Sequence, residues 1–125
     1  MKDHIVYIDD DTEDLEIFRL AVDKCGKDIN YSGFSDAKDA LKKITSDELR
    51  PAMIFLDLNM PEMTGQQFLA HLTNHHPLLN IPVIVYSTTS HPATVALMKE
   101  LGAREFITKH HSIDGLIADL QRLIN

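Results

Sequence analysis

The chain has 125 residues, with 12 Lys and Arg against 19 Asp and Glu and a formal net charge of −7. This length suits one compact domain over residues 1–125. The acidic balance argues against nonspecific binding to nucleic acid or to an anionic membrane. No stretch approaches the roughly 20 apolar residues of a membrane span, and no signal peptide fits before the first apolar run. With Cys25 as its one cysteine, these features predict a soluble cytoplasmic protein.

Five short runs of β-branched, aromatic and other apolar residues predict strands. In chain order the runs are Ile5–Ile8, Ile29–Phe34, Met53–Leu56, Val83–Tyr86 and Phe106–Thr108. The first, third and fourth are almost wholly apolar, as expected for strands that are buried on both faces. The second run contains Asn30 and Ser32, and the fifth is short with charged neighbours, so both are predicted to be edge strands.

Apolar residues recur at helical spacing between and after these runs, which predicts five helices. The residues expected to face the core are, helix by helix, Leu15, Phe18, Val22 and Cys25; Ala37, Ala40, Leu41 and Ile44; Phe68, Leu69 and Leu72; Ala96, Leu97 and Leu101; and Ile113, Leu116, Ile117, Leu120, Leu123 and Ile124. Ser35 and Ser112 are candidate N-caps of the second and fifth helices, and Pro92 precedes the core-facing residues of the fourth. Gly26 and Gly102 are candidate stops.

Strand–helix alternation of this kind predicts an α/β fold, a (βα)5 doubly wound parallel sheet with helices on both faces. The two edge strands favour the flavodoxin-like strand order 2-1-3-4-5. That order places a topological switch point between strands 1 and 3, and ligands of such sheets bind beside it, at the carboxyl ends of the strands.

Acidic residues end the two strands that flank this switch point. Strand 1 runs into Asp9, Asp10 and Asp11, and strand 3 runs into Asp57. Carboxylates held in one crevice raise each other's pKa unless a cation is present. An open site with few carboxylates suits Mg²⁺ better than Ca²⁺. We interpret Asp11 as a helix cap and the other three acids as a magnesium site.

A cation and a hydroxyl are expected at the same edge. Lys109 directly follows strand 5, and Ser87 closes strand 4. Acids, a metal ion, a lysine and a hydroxyl are the groups that phosphoryl transfer to a carboxylate requires.

Four stretches resemble the response-regulator receiver domain, the phospho-accepting module of two-component signalling. They are IVYIDDD at strand 1, IFLDLNMPEMTG at strand 3, VIVYSTT at strand 4 and GAREFITK at strand 5. Any one of these is a weak signal, but all four occur in order and at the family's spacing. The resemblance covers essentially all 125 residues.

The resemblance implies roles for named residues. Asp57 would be phosphorylated by a histidine kinase or a phosphotransfer protein. Asp10 and Asp57 would ligate Mg²⁺ through their carboxylates, Asn59 through its backbone carbonyl and Asp9 through a bound water. Lys109 would pair with the phosphoryl group. The domain would catalyse only its own phosphorylation and dephosphorylation, and we do not expect it to be an enzyme acting on another substrate.

The resemblance also implies a switch. Ser87 takes the place of the family's Thr or Ser, which moves toward the phosphoryl group. Phe106 occupies the aromatic position that rotates inward in response. The change would reshape the surface of helix 4, strand 5 and helix 5, where a downstream protein would dock. Asn59 and Thr89 match positions that flank the phosphoryl group. Because the fifth helix uses up the chain, we expect a stand-alone receiver.

Three positions depart from the family pattern. His110 stands where a proline usually follows the strand-5 lysine, often through a cis peptide bond. A cis bond without proline costs ~3 kcal/mol, so we expect a trans or rearranged loop. Thr88 stands where a small residue is common, and Phe106 lacks the hydroxyl of the frequent tyrosine.

Three alternatives compete with the receiver interpretation. Haloacid-dehalogenase-like phosphatases need a second Asp two positions after the nucleophile, where this chain has Asn59. Flavodoxin-like FMN binding needs a Gly/Ser/Thr-rich loop after strand 1, where the acids at 9–11 would repel a phosphate. A receiver-like binding module that acts without phosphorylation stays open. We interpret the seven histidines as solvated loop residues, with His71 and His75 in the last turn of the third helix. We interpret Met60, Met63 and Met98 as packing or loop residues and Met53 as strand core.

Overall fold

The computed structural model of the protein describes residues 3–76, 79–89, 91–109 and 112–124. Five parallel strands form one sheet in the order β2-β1-β3-β4-β5. The strands are β1 (Asp3–Ile8), β2 (Ile29–Phe34), β3 (Met53–Leu56), β4 (Val83–Ser87) and β5 (Glu105–Thr108). The predicted strand order and the two predicted edge strands are therefore confirmed. β1, β4 and β5 extend one or two residues beyond the predicted apolar runs.

Five helices follow the strands and cover both faces of the sheet. They are α1 (Thr12–Lys24), α2 (Ala37–Thr45), α3 (Gly65–His75), α4 (Pro92–Glu100) and α5 (Ile113–Leu123). Buried residues of α2, α3 and α4 form one core cluster, and buried residues of α1 and α5 form the other. None of the helices within the described ranges has both the length and the apolar character needed to cross a bilayer.

The pleat of the central strands divides their side chains between the two clusters. In β1, Val6 and Ile8 face α2, α3 and α4, whereas Ile5 and Tyr7 face α1 and α5. β3 and β4 alternate in the same way and are buried throughout. Because these strands lie between two helical layers, both sets of side chains are apolar, which is why their sequences show no polar alternation.

Side-chain N-caps mark the starts of α1, α2 and α5. Asp11 accepts hydrogen bonds from the backbone N–H groups of Glu13 and Asp14 at the start of α1, and Ser112 accepts one from Gly115 at the start of α5, as predicted. The prediction of Ser35 as the cap of α2 is wrong. Asp36 has that role and accepts a 2.9 Å hydrogen bond from the N–H of Lys38. Two good capping residues stand side by side here, and composition alone does not separate them.

The predicted inner face of α4 is also wrong. Ala96 and Leu97 are exposed, Leu97 by 37%, and Leu101 is only half-buried. Met98 is the buried residue of this helix. The helix is short and largely apolar around its circumference, so spacing alone did not identify the side that packs on the sheet.

The histidines and methionines are distributed between core and surface. Met53, Met60 and Met98 are buried and Met63 packs against the core, which agrees with a packing role. The interpretation of the histidines as loop residues is wrong for His4, which lies in β1 and is 2.7 Å from the Ser32 hydroxyl. His71 and His75 belong to α3, as predicted. His110 and His111 lie outside the described residues.

Gly65 sets the distance between α3 and the loop that follows β3. A Cβ atom at this position would lie 2.3 Å from the carbonyl oxygen of Asp57, closer than any side chain can approach. The N–H of Gly65 donates a 3.1 Å hydrogen bond to the carbonyl of Leu58. Thr64 and Gln67 close a capping box at the same point. The start of α3 is thereby packed directly against the backbone that carries Asp57.

Candidate functional site

Three carboxylates meet at the carboxyl edge of the sheet, between β1 and β3. One carboxylate oxygen each from Asp9, Asp10 and Asp57 lie within 4.8 Å of one another. The strand register brings them together, because Ile8 pairs with Leu56 and the N–H of Asp57 donates a 2.9 Å hydrogen bond to the carbonyl of Ile8. The predicted convergence of these acids is therefore confirmed.

Asp9 is buried and both of its carboxylate oxygens accept hydrogen bonds. Oδ1 accepts from the backbone N–H of Asp11 at 3.0 Å. Oδ2 accepts from the Tyr7 hydroxyl and from the Lys109 ammonium, which lies 2.7 Å away. Burial and the adjacent charge of Asp9 raise the pKa of Tyr7, so the phenol remains a proton donor. Asp9 is thus held by protein groups, which suits an indirect role beside a metal ion.

Asp10 and Asp57 differ from Asp9 in their surroundings. Asp10 is exposed, and within the described ranges its side chain makes no hydrogen bond or ion pair. Asp57 is 5% exposed. Burial, followed by repulsion from Asp9, raises the pKa of Asp57 to about 6, and Lys109 only partly offsets these effects. The site therefore combines an exposed carboxylate, that of Asp10, with a buried one, that of Asp57, whose negative charge Lys109 compensates only in part.

Lys109 is the cation of this cluster and contacts three carboxylates. Its Nζ lies 2.7 Å from Asp9, 2.9 Å from Asp14 and 3.4 Å from Asp57. Burial disfavours the charged ammonium, but the hydrogen bonds with Asp9 and Asp14 and the charge of Asp57 outweigh it and raise the pKa of Lys109. The predicted position of Lys109 in the crevice is confirmed. The peptide bond to His110 lies outside the described residues.

Two side chains of this cluster were missed by sequence reasoning. Asp14 resembles an ordinary acidic residue in the first turn of a helix, where the helix dipole favours negative charge. Tyr7 resembles a core aromatic, and its ring does stack on Phe18 with centroids 4.4 Å apart. Two features of the sequence could have pointed to them. The Tyr7 phenol lies two residues before Asp9 and hence on the same side of the sheet, and Asp14 is an acid about one helical turn after Asp10.

The remaining predicted site residues surround the acids. Ser87 is fully buried at the end of β4, and its carbonyl accepts a 2.8 Å hydrogen bond from the N–H of Lys109. Asn59 and Thr89 line one cleft of about 420 Å³. Thr88 is exposed. Phe106 is half-buried against the cluster formed with α2, α3 and α4.

The donor set fits a hard divalent cation. Carboxylate oxygens are the ligands that Mg²⁺ prefers, and Mg²⁺ usually takes only one or two of them and keeps several waters. Asp10 and Asp57 offer such oxygens at an open edge, while Asp9 is engaged by Tyr7 and Lys109. One ammonium does not balance the charge of these acids, so the site also has an electrostatic reason to bind a cation.

Comparison with known proteins identifies the family. The profile of the response regulator receiver domain matches residues 5–121. The chain belongs to this family. Receiver domains are signalling modules of two-component systems, they generally bind Mg²⁺ at an acidic cluster, and they interact with histidine kinases or phosphotransfer proteins.

Several curated proteins resemble this receiver over most of its length. The chemotaxis protein CheY of Listeria monocytogenes is 27% identical over 111 residues, which cover 88% of this chain and 92% of that protein. The two-component response regulator ORR1 of Oryza sativa subsp. japonica is 30% identical, with 97% of this chain and 53% of that protein covered. The sensory transduction protein BceR of Halalkalibacterium halodurans is 28% identical over 74% of this chain, and the match spans 38% of BceR.

Solved structures share the fold. The receiver domain of the Francisella response regulator 1452 has a TM-score of 0.81 and 25% identity, with 98% of this chain and 96% of that chain covered. The phosphorylated cyanobacterial phytochrome response regulator RcpA has a TM-score of 0.87 and 23% identity, with 98% and 91% covered. The predicted flavodoxin-like arrangement is confirmed by these comparisons.

The raised pKa of Asp57 predicts a pH-dependent cost to folding. Its folded pKa of about 6 lies above the ordinary 3.8, so the folded state binds a proton more readily than the unfolded chain and loses stability as pH rises from about 4 to about 6. Asp57→Asn removes this cost. In chelator, we expect the variant to exceed the wild type in free energy of unfolding by about 1–3 kcal/mol at pH 7.5 and by almost nothing at pH 4.

Urea unfolding at both pH values measures this difference. Asp36→Asn, the same change at the exposed cap of α2, serves as the matched control, since Asn caps a helix about as well as Asp. A gain for Asp57→Asn that is the same at pH 4 and pH 7.5, or a loss at pH 7.5, would contradict the account of Asp57.

Proposed function

We propose that this receiver accepts a phosphoryl group on Asp57 from a histidine kinase or a phosphotransfer protein, in a reaction that depends on Mg²⁺. The observation that carries the proposal is the position of the Asp57 carboxylate at the end of β3, with Asp10 on one side and the Lys109 ammonium 3.4 Å away. A nucleophile, a metal-binding carboxylate and a fixed cation are the parts that phosphoryl transfer needs.

The chemistry follows from the carboxylate. At neutral pH Asp57 is largely ionised, because its pKa is about 6. One of its oxygens attacks phosphorus, the new P–O bond forms as the P–N bond of a phosphohistidine breaks, and the imidazole nitrogen keeps the electron pair. The product is a mixed carboxylic–phosphoric anhydride. Attack of water on its phosphorus later releases inorganic phosphate and restores the carboxylate.

Other residues handle the charge of the transferred group. Lys109 would pair with the phosphoryl oxygens, and the buried Ser87 hydroxyl would donate a hydrogen bond to one of them. Asp10 and Asp57, with the backbone carbonyl of Asn59, would hold Mg²⁺, and Asp9 would contact it through water. The ion would supply positive charge to the phosphoryl oxygens when bound.

Asn59 favours storage of the phosphoryl group over turnover of a substrate. A phosphatase of the haloacid dehalogenase type needs a general acid two positions after its nucleophile, and an amide cannot donate that proton. The acids at 9–11 likewise disfavour a phosphate-binding loop for FMN. The remaining alternative is a receiver-like module that binds a partner without phosphorylation.

The intact-protein mass tests the proposal. With acetyl phosphate and Mg²⁺, we expect one phosphoryl group per chain, labile to hydroxylamine, on the wild type and none on Asp57→Asn. Asp11→Asn is the matched control, because it changes a neighbouring acid that caps α1 through its side chain. An unmodified wild type would support the module that acts without phosphorylation, and a modified Asp57→Asn would contradict the assignment of the acceptor.

Signal output is proposed to run through Ser87 and Phe106. Movement of the Ser87 hydroxyl toward the phosphoryl group would vacate space beside β4, and the half-buried Phe106 ring on the neighbouring strand would turn inward. The outer surface of α4, β5 and α5 would change with it. Leu97 of α4 is exposed and would be available to a downstream protein that docks there.

Beryllofluoride, which mimics a phosphoryl group on a carboxylate, tests this switch. With Mg²⁺ present, we expect amide chemical-shift changes at Ser87, at Phe106 and along α4, and a smaller change at Phe106 in Ser87→Ala. Asn74→Ala, an exposed change near the far end of α3, is the control. Shifts confined to the loop after Asp57 would contradict the switch.

The chain spans 38% of BceR and 53% of ORR1, which are longer proteins. We propose that residues 1–125 form a receiver that signals by protein–protein contact rather than by binding nucleic acid or membrane.

A further inference from the structure

An ion pair ties the first turn of α1 to the end of β5. The Nζ atom of Lys109 lies 2.9 Å from the carboxylate of Asp14, across 95 residues of sequence. The Lys109 side chain is 12% exposed and that of Asp14 is 34% exposed. Asp11 already caps α1 through its own side chain, so Asp14 is not needed to satisfy the helix N-terminus. Its contact with Lys109 therefore calls for another role.

Lys109 has no donor to spare. An ammonium has three N–H groups, and three carboxylates surround this one. The contact with Asp57 is the longest of the three, at 3.4 Å, against 2.7 Å for Asp9 and 2.9 Å for Asp14. Asp9, after β1, and Asp14, in α1, therefore lie closer to the Lys109 ammonium than Asp57, the proposed phosphoryl acceptor, does.

A phosphoryl group on Asp57 changes this balance. It replaces a single negative charge with nearly two and adds three strong acceptor oxygens at the side of Lys109. Asp9 keeps its buried contacts with Tyr7 and with the Asp11 N–H, whereas Asp14 is partly exposed and can exchange its partner for water. Asp14 is the carboxylate that Lys109 can leave at the lower cost.

We propose that Asp14 is a positioning residue that competes with the phosphoryl group for Lys109, so that phosphorylation of Asp57 breaks the Asp14–Lys109 ion pair. This inference rests on the proposed phosphorylation of Asp57. The negative charge of Asp14 holds the ammonium beside α1 in the unphosphorylated protein and weakens the binding of a phosphoryl group. The same exchange frees the Asp14 carboxylate, which borders a cleft of about 230 Å³ lined by Tyr86 and Ile113.

Beryllofluoride binding measured by calorimetry at saturating Mg²⁺ tests the competition. We expect Asp14→Asn to bind beryllofluoride about three- to fivefold more tightly than the wild type, since a partly exposed ion pair is worth up to about 1 kcal/mol, which is about fivefold in affinity. Asp14→Glu, which keeps the charge, should remain within about twofold of the wild type.

Glu13→Gln is the matched control for the general effect of removing a negative charge near the site. It removes the same charge from the same helical turn, and within the described part of the chain the Glu13 side chain makes no ion pair. We expect its affinity to stay within about twofold of the wild type. Equal tightening in Glu13→Gln and Asp14→Asn, or no tightening in Asp14→Asn, would overturn the proposal.

A spectroscopic readout separates competition from a structural effect. In the wild type, beryllofluoride should shift the backbone amide resonance of Asp14 because its ion pair breaks, and in Asp14→Asn the amide of residue 14 should shift much less. An amide at residue 14 that does not respond in the wild type would also overturn the proposal. If the wild type binds no beryllofluoride at all, the proposed phosphorylation fails first, and that failure is distinct from equal binding by wild type and variant.

Discussion

The functional site depends on a surplus of negative charge that is gathered where two central strands end. The Lys109 ammonium contacts the carboxylates of Asp9, Asp14 and Asp57. The Asp10 carboxylate lies beside those of Asp9 and Asp57. Like charges held this close repel each other, and the raised pKa of Asp57 is one result. The acids are held together despite this repulsion because α/β sheets of this strand order bring the carboxyl ends of β1 and β3 together.

Each neighbouring feature serves to hold that cluster in place. The Tyr7 hydroxyl and the N–H of Asp11 fix Asp9, and the close approach of Gly65 fixes the loop that carries Asp57. The hydrogen bond from the N–H of Lys109 to the Ser87 carbonyl extends the pairing of β4 and β5 as far as the site. The acids and the lysine are therefore positioned by strand ends and short connections rather than by long loops.

The sequence predicted the sheet and its acidic edge because both follow from strong, local signals. Fully apolar strands indicate burial on both faces of the sheet. Acids that directly follow two neighbouring parallel strands indicate that these acids lie together at the carboxyl edge of the sheet. Predictions failed where two local solutions were equally good, as with Ser35 and Asp36 at the start of α2, or where a short helix is apolar all round, as in α4. The contact between Asp14 and Lys109 joins residues 95 positions apart, and no periodic pattern encodes it.

Magnesium binding tests most directly whether the acidic cluster is a cation site. Calorimetric titration of the wild type with Mg²⁺ should give one saturable site, and Asp10→Asn should lose most of that binding because Asp10 is the exposed carboxylate left without a protein partner in the described part of the chain. Asp11→Asn, at the neighbouring cap, should keep the site. Absence of saturable binding in the wild type, or equal affinity in Asp10→Asn, would contradict the account.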